Sequence, residues 1–73
     1  MRITYDTKAD ALYICLQEGK FAKNREVEPG LILDIGNREE LLGIEILDAS
    51  TRFNMTDIAH VSIEMPLNVT EAA

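Results

Sequence analysis

The stretch Pro29 to Ser50 constrains this chain more than any other: Pro-Gly, then Leu31-Ile-Leu-Asp-Ile35, a polar break at Gly36-Asn-Arg-Glu-Glu40, then Leu41-Leu-Gly-Ile-Glu-Ile-Leu47. Leu31, Leu33 and Ile35 alternate with Ile32 and Asp34, and Leu42, Ile44 and Ile46 alternate with Gly43 and Glu45, the period of two expected of half-buried strands. Closing the pair about Arg38 and Glu39 sets Leu33 against Ile44, Leu31 against Ile46 and Ile35 against Leu42, all six on one face. A slip of one residue would move Asp34 and Glu45 among those apolar side chains, so the pattern specifies its own register. The centre of the core is expected at Leu33, Ile44 and Ile46.

The rest of the chain extends this β pattern. Ile3 and Tyr5 alternate with Arg2, Thr4 and Asp6, and Leu12, Ile14 and Leu16 with Ala11, Tyr13 and Cys15, which predicts a first hairpin joined through Asp6 to Asp10. A helix over Thr7 to Gln17 capped by Asp6 competes. The strand is preferred because Ala11 to Leu16 is apolar on every side, of strand length, and contains Tyr and Ile. Lys20 to Glu28 reads as a loop or an edge strand, its Lys and Arg residues suited to discouraging a second chain. Pro29-Gly30 turns the chain into the central hairpin. Asp48 and Ser50 are favourable helix N-caps, and a short helical segment of one or two turns is expected within Ser50 to His60, packing Phe53, Met55 and Ile58. Val61, Ile63 and Met65 predict a final strand stopped by Pro66, followed by a frayed tail from about Asn68. The expected fold is mainly β, a small α+β domain: an antiparallel sheet of two hairpins plus a C-terminal strand, with one short helical segment, over residues 1–73.

Seventy-three residues make one domain, which buries only about 60% of the surface its unfolded chain exposes. Small chains offset this with disulfides, a metal or a partner subunit. A single cysteine, Cys15, excludes an internal disulfide and a Cys-rich zinc site, which leaves the partner subunit. Ile32, Leu47, Tyr13 and Cys15, on the face opposite the six core residues, form an apolar patch for which a second copy is the simplest cover. A homodimer or a higher even-numbered oligomer is therefore expected. A net charge of −6 disfavours nucleic acid and anionic membrane surfaces and favours basic partners. No apolar run approaches the ~20 residues of a membrane span and no leader pattern opens the sequence, so a cytoplasmic protein is expected. On that expectation the sequons at Asn54 and Asn68 are chance.

With these elements placed, Ile3-Thr-Tyr-Asp6, Ala9-Asp-Ala-Leu-Tyr-Ile14, Glu26-Val27, Gly30-Leu-Ile-Leu-Asp34 and above all Gly43-Ile-Glu-Ile-Leu-Asp-Ala-Ser50 resemble a family of small prokaryotic proteins catalogued as domain of unknown function 2283. The likeness runs from Met1 to about Phe53. Thr7 stands where the family often has Pro, and Asn37-Arg-Glu-Glu40 replaces a turn usually built around Asp-Gly, departures that bear on the turns. The resemblance implies the same order of strands, no established activity, substrate or cofactor, and so no catalytic residues to carry over. The proximity of some members to small toxin-like genes further implies an antitoxin-like role.

Residue by residue, the chemistry is sparse. Asp34 and Glu45 fall on one outer sheet face as diagonal neighbours, and paired carboxylates serve acid/base catalysis or hard cations; outward acids between apolar residues are also what alternating strands ordinarily show. His60, the one histidine, can titrate near neutrality or ligate a metal beside a carboxylate, but lacks a second histidine. Asp34, Glu45 and His60 are thus the candidate metal residues of a set expected to hold none. Cys15 at the centre of an apolar strand reads as a packing residue. Asp48 and Ser50 lack the base and oxyanion hole a nucleophilic serine needs. Asp6 and Asp10 read as turn and cap residues. The glycines are scattered, forming no phosphate-cradling loop. The expected function is a non-enzymatic, homo-oligomeric interaction module without a cofactor. The alternatives are an antitoxin-like acidic partner of a small basic protein, and a small metal protein or enzyme using Asp34, Glu45 and His60.

Overall fold

A computed structural model describes residues 1–66. The strands are β1 (Arg2–Asp6), β2 (Ala11–Cys15), β3 (Phe21–Glu28), β4 (Leu31–Gly36) and β5 (Leu41–Leu47), followed by two single-turn helices, α1 (Ala49–Arg52) and α2 (Met55–Ile58). All neighbouring strands are antiparallel, in the order β1-β2-β5-β4-β3. The fold is therefore mainly β with a small helical part, as the alternation predicts, and residues 7–17 hold a turn and a strand, not a helix.

The central register holds over most of its length. Leu31 faces Ile46 and Leu33 faces Ile44, and β2 adds Leu12 against Ile46 and Ile14 against Ile44. Directly opposed residues share a face, so Ile3, Tyr5, Leu12, Ile14, Ile44, Ile46, Leu31 and Leu33 lie together. The expected Ile35–Leu42 pair does not form. A register shift follows Asp34, Ile35 meets Leu41, and Leu42 becomes the extra residue of a β-bulge. The cause is the turn: Gly36 donates its amide to the carbonyl of Glu40, Glu39 takes a left-handed φ of 64°, and this closure ends one residue out of step with a symmetric pairing about Arg38 and Glu39. Leu42 accordingly turns to the opposite face, where it lines a hollow with Tyr13 and Asp34.

The helices dock at one end of the first face and move the core there. Its centre is Leu12, Ile46 and a wholly buried Ala49, with Ile14, Leu31, Ile44 and Ile58 packed around them. Leu33 and Ile44, expected at the centre, are only half-buried, because no helix reaches their end of the sheet. The helical structure expected within Ser50 to His60 arrives as two single turns, α1 beginning one residue earlier. Neither expected cap performs: Asp48 has φ 54° and ψ 43° with no side-chain capping bond, and Ser50 lies inside α1. Asn54, unremarked as a cap, holds the second turn by accepting a hydrogen bond from the Thr56 amide at 3.0 Å.

The expected C-terminal strand is absent. Residues 61–66 are irregular and exposed, and the fifth strand is β3 instead, an edge strand as Lys20 to Glu28 allowed. Alternation shows which side chains share a side; it does not supply a ladder partner. After α2 the chain runs near β1, where Val61 and Ile63 line a hollow with Ile3, Thr4 and Tyr5, without pairing into the sheet. The frayed tail expected from about Asn68, and the sequon there, lie outside the described residues.

Candidate functional site

Asp10 is the first place where several elements converge. It sits in the β1–β2 turn with φ 51°, a conformation that aspartate tolerates better than most residues. Its backbone carbonyl accepts the Ala49 amide at 3.0 Å, its Oδ1 accepts the Ser50 amide at 3.0 Å, and its Oδ2 accepts the Ser50 hydroxyl at 2.7 Å. Tyr5 adds its hydroxyl to Oδ1 at 2.6 Å. Asp10 thus supplies, from forty residues away, the capping that Asp48 does not. The Tyr5 bond, then the Ser50 hydroxyl, hold the Asp10 carboxyl below the ordinary aspartate range, and the same carboxylate raises the Tyr5 phenol. These bonds tie β1, the β1–β2 turn and α1 together, so the node acts as a fastening.

The opposite sheet face carries Tyr13, Cys15, Ile32, Asp34, Glu45 and Leu47. Tyr13 lies over Gly43 and donates its hydroxyl to Asp34 Oδ2 at 3.0 Å. A Cβ on Gly43 would collide with that hydroxyl and stand 2.7 Å from the ring carbon bearing it. Burial first, and the Asp34 carboxylate second, raise the Tyr13 phenol above its usual value. Asp34 and Glu45 are diagonal neighbours, as expected: Asp34 opposes Gly43, and Glu45 stands between Tyr13 and Ile32. Asp34 is tied to Tyr13, however, and His60 belongs to the helical side, its Nδ1 2.9 Å from the Thr56 carbonyl oxygen. The sheet separates the histidine from the two carboxylates. Among the described residues no group of three His, Cys, Asp or Glu stands close enough together to hold a metal ion. Cys15 is half-buried beside the open hollow of about 420 Å³ that Tyr13, Asp34 and Leu42 also line.

The third place is apolar. Ile3, Tyr5 and Leu12 form the floor, and Ile58, Val61 and Ile63 one wall, of an open groove of about 420 Å³. Val61, Ile63 and Met65 are 58%, 62% and 63% exposed, and Met1 beside them 73%. So much contiguous apolar surface on so small a chain marks an interaction surface more often than a catalytic one. The alternation at 61–65 and 1–5 pointed to these residues, but as strand interiors and not as walls of a groove.

These strands and turns are those described by a family model, Protein of unknown function (DUF2283), which matches residues 2–50. The chain belongs to this family. The matched DUF2283 region is the sheet together with the start of α1, so it includes the Asp10–Ser50 fastening and Tyr13 over Gly43; α2 and the outer wall of the groove lie beyond it. A protein of Methanosarcina mazei, named "Putative hypoxanthine phosphoribosyltransferase", is 39% identical over 51 residues. That alignment covers 70% of this chain and 41% of the relative, so the chain spans less than half of that protein. No solved structure matches the chain. Among the described residues no helix is long and apolar enough to cross a membrane.

Proposed function

We propose that this DUF2283 chain is a non-enzymatic interaction module that works as a homo-oligomer. The observation that carries the proposal is the apolar groove along β1 with its exposed wall at Val61 and Ile63, on a domain with only five buried hydrophobic residues among those described. Covering that surface would supply burial that a chain of this size lacks. On this reading the 51 residues shared with the methanosarcinal protein are a binding segment, and the activity in that protein's name resides in the rest of its length. Light scattering tests the proposal: a dimeric or higher even-numbered mass is expected, and a monomeric mass at high micromolar concentration overturns it.

A second reading rests on charge. A net charge of −6 suits a small basic partner, as an antitoxin-like protein would need. Salt-sensitive binding of a cationic protein encoded beside this one would favour it. Metal binding through Asp34, Glu45 and His60 would require bridging the two sides of the sheet; elemental analysis of untagged protein that finds a stoichiometric divalent ion would revive it.

A further inference from the structure

The sheet ends in two unlike edges. At one end β3 pairs with β4 through two register shifts, between Phe21 and Lys23 and between Glu26 and Glu28, and carries Lys23 and Arg25. Bulges and basic side chains are how sheets keep an edge from pairing with another chain. At the other end β1 has no bulge, and its one basic residue, Arg2, stands at its first position. Its five residues pair with β2 in unbroken register from Arg2–Cys15 to Asp6–Ala11, and all five are exposed. An edge strand in unbroken register, unpaired on its outer side among the described residues, can take an occupant, and the sequence of β1 identifies one.

We propose that β1 pairs with β1 of a second copy, antiparallel about Thr4, joining two five-stranded sheets into one of ten strands. The proposal deepens the homo-oligomer reading and rests on it. A two-fold axis normal to the sheet relates like faces, so opposed residues must have numbers of the same parity. Three registers then oppose at least three residues, summing to 6, 8 or 10. Only 8 uses all of β1, and it sets Arg2 against the partner's Asp6, Ile3 against the partner's Tyr5, and Thr4 against its own copy. Opposite charges meet on one face and apolar side chains on the other, each combination among those that stabilise antiparallel pairs. The flanking registers oppose Arg2 with Thr4, or Thr4 with Asp6, and leave charges unmatched. Asp6 is also prepared for its part. Its Oδ1 accepts the Lys8 and Ala9 amides at 2.9 and 3.0 Å, which fixes the carboxylate while Oδ2 takes no bond among the described residues. On the other face, Ile3 and Tyr5 floor the apolar groove, so pairing brings the grooves of two copies side by side into one strip across the axis. The opposite sheet face is a poorer place to join copies, since Ile32, Leu47, Tyr13 and Cys15 are already half-buried within one chain.

Two variants test the register. Arg2→Glu replaces both attractive charge pairs with opposed carboxylates and should raise the dimer dissociation constant by about tenfold or more, while Arg25→Glu on β3, an equal change in net charge, should leave the mass unchanged. Thr4→Cys with Cys15→Ser places two thiols on opposed residues of a strand pair, where Cα separations of about 4.5–5.5 Å suit a disulfide. Mild oxidation should convert this variant to a covalent dimer, and Asn24→Cys with Cys15→Ser should not convert. A monomeric wild type would overturn both this pairing and the homo-oligomer reading. A dimer that survives Arg2→Glu, fails to cross-link through position 4 and dissociates on Ile32→Glu would overturn the β1 pairing alone. If Arg2→Glu loses its strand-rich circular dichroism, the cross-linking result decides.

Discussion

Gly43 shows how much one residue determines here. It is the position on β5 over which the Tyr13 ring lies, and any Cβ there meets the phenol on one side and the Ile14 carbonyl oxygen at 2.9 Å on the other. The first obstacle is a side chain and can move; the second is backbone and cannot move without disturbing the β2–β5 ladder. Gly43→Ala should therefore destabilise the fold by about 1–3 kcal/mol, the range of overpacking, read as a lower denaturation midpoint. Tyr13→Ala should relieve part of that cost but not all of it, and complete relief would mean the Ile14 contact is slack. Tyr13 itself adds a pH dependence. Its pKa is raised above 10.0 in the folded chain, first by burial and then by Asp34, so its contribution to stability is complete below pH 10 and declines as pH rises through the folded-state value. Tyr13→Phe, which has no proton to lose, should flatten the alkaline limb of a stability profile relative to wild type.

Among the elements, the strands of the two hairpins and the place of the helical turns were legible, whereas the helix caps and the lack of a strand at Val61 to Met65 were not, for a physical reason. A strand's alternation is written in its own residues: Leu31 to Ile35 and Leu41 to Leu47 each carry the period of two, and their opposition follows from it. The bulge at Leu42 was hidden because it comes from the left-handed turn at Glu39, where the alternative turn closures leave the same alternation in the strands. The capping of α1 was hidden differently. Asp48 and Ser50 have the composition of caps, yet capping depends on where a side chain points, and the acceptor that reaches α1 is Asp10, remote in sequence. The candidate site was legible in the same uneven way: Asp34 and Glu45 share a face as their spacing implies, whereas His60 is placed by a helix whose docking the sequence does not spell out. The Asp10 fastening has its own test. Its carboxyl is held below the ordinary 3.8 by the Tyr5 and Ser50 bonds, so its contribution is present above that value and lost as pH falls through the lower folded-state pKa. Asp10→Asn exchanges one acceptor oxygen for a donor. It should lower the melting temperature at neutral pH and flatten the loss of stability on acidification, with Asp48→Asn, which removes no capping bond, close to wild type in both.

For the molecule as a whole, one sheet and two single turns of helix leave most of the surface in water. Of the hydrophobic residues described, only Leu12, Ile35, Leu42, Ile46 and Ala49 are buried, and none has a side chain wholly out of solvent except the small Ala49. A domain that buries so little depends on whatever else covers its apolar surface, and under the proposed pairing that cover is a second copy. Folding and association are then linked, because a partner that binds only the folded chain adds its binding free energy to stability. The expected signature is a melting temperature that rises with protein concentration. A tenfold increase adds about 1.4 kcal/mol per dimer, which for chains of this length corresponds to a shift of a few degrees. Arg2→Glu should melt lower and lose most of that dependence, since its folded form no longer gains from a partner. Ile35→Ala separates the two contributions: it removes a buried side chain on β4, with β5 and β2 between it and β1, should cost about 2–5 kcal/mol, and should keep the concentration dependence while lowering the whole curve. A wild-type melting temperature that stays fixed over a hundredfold range of concentration would show instead that the five-stranded sheet reaches its full stability as a single chain.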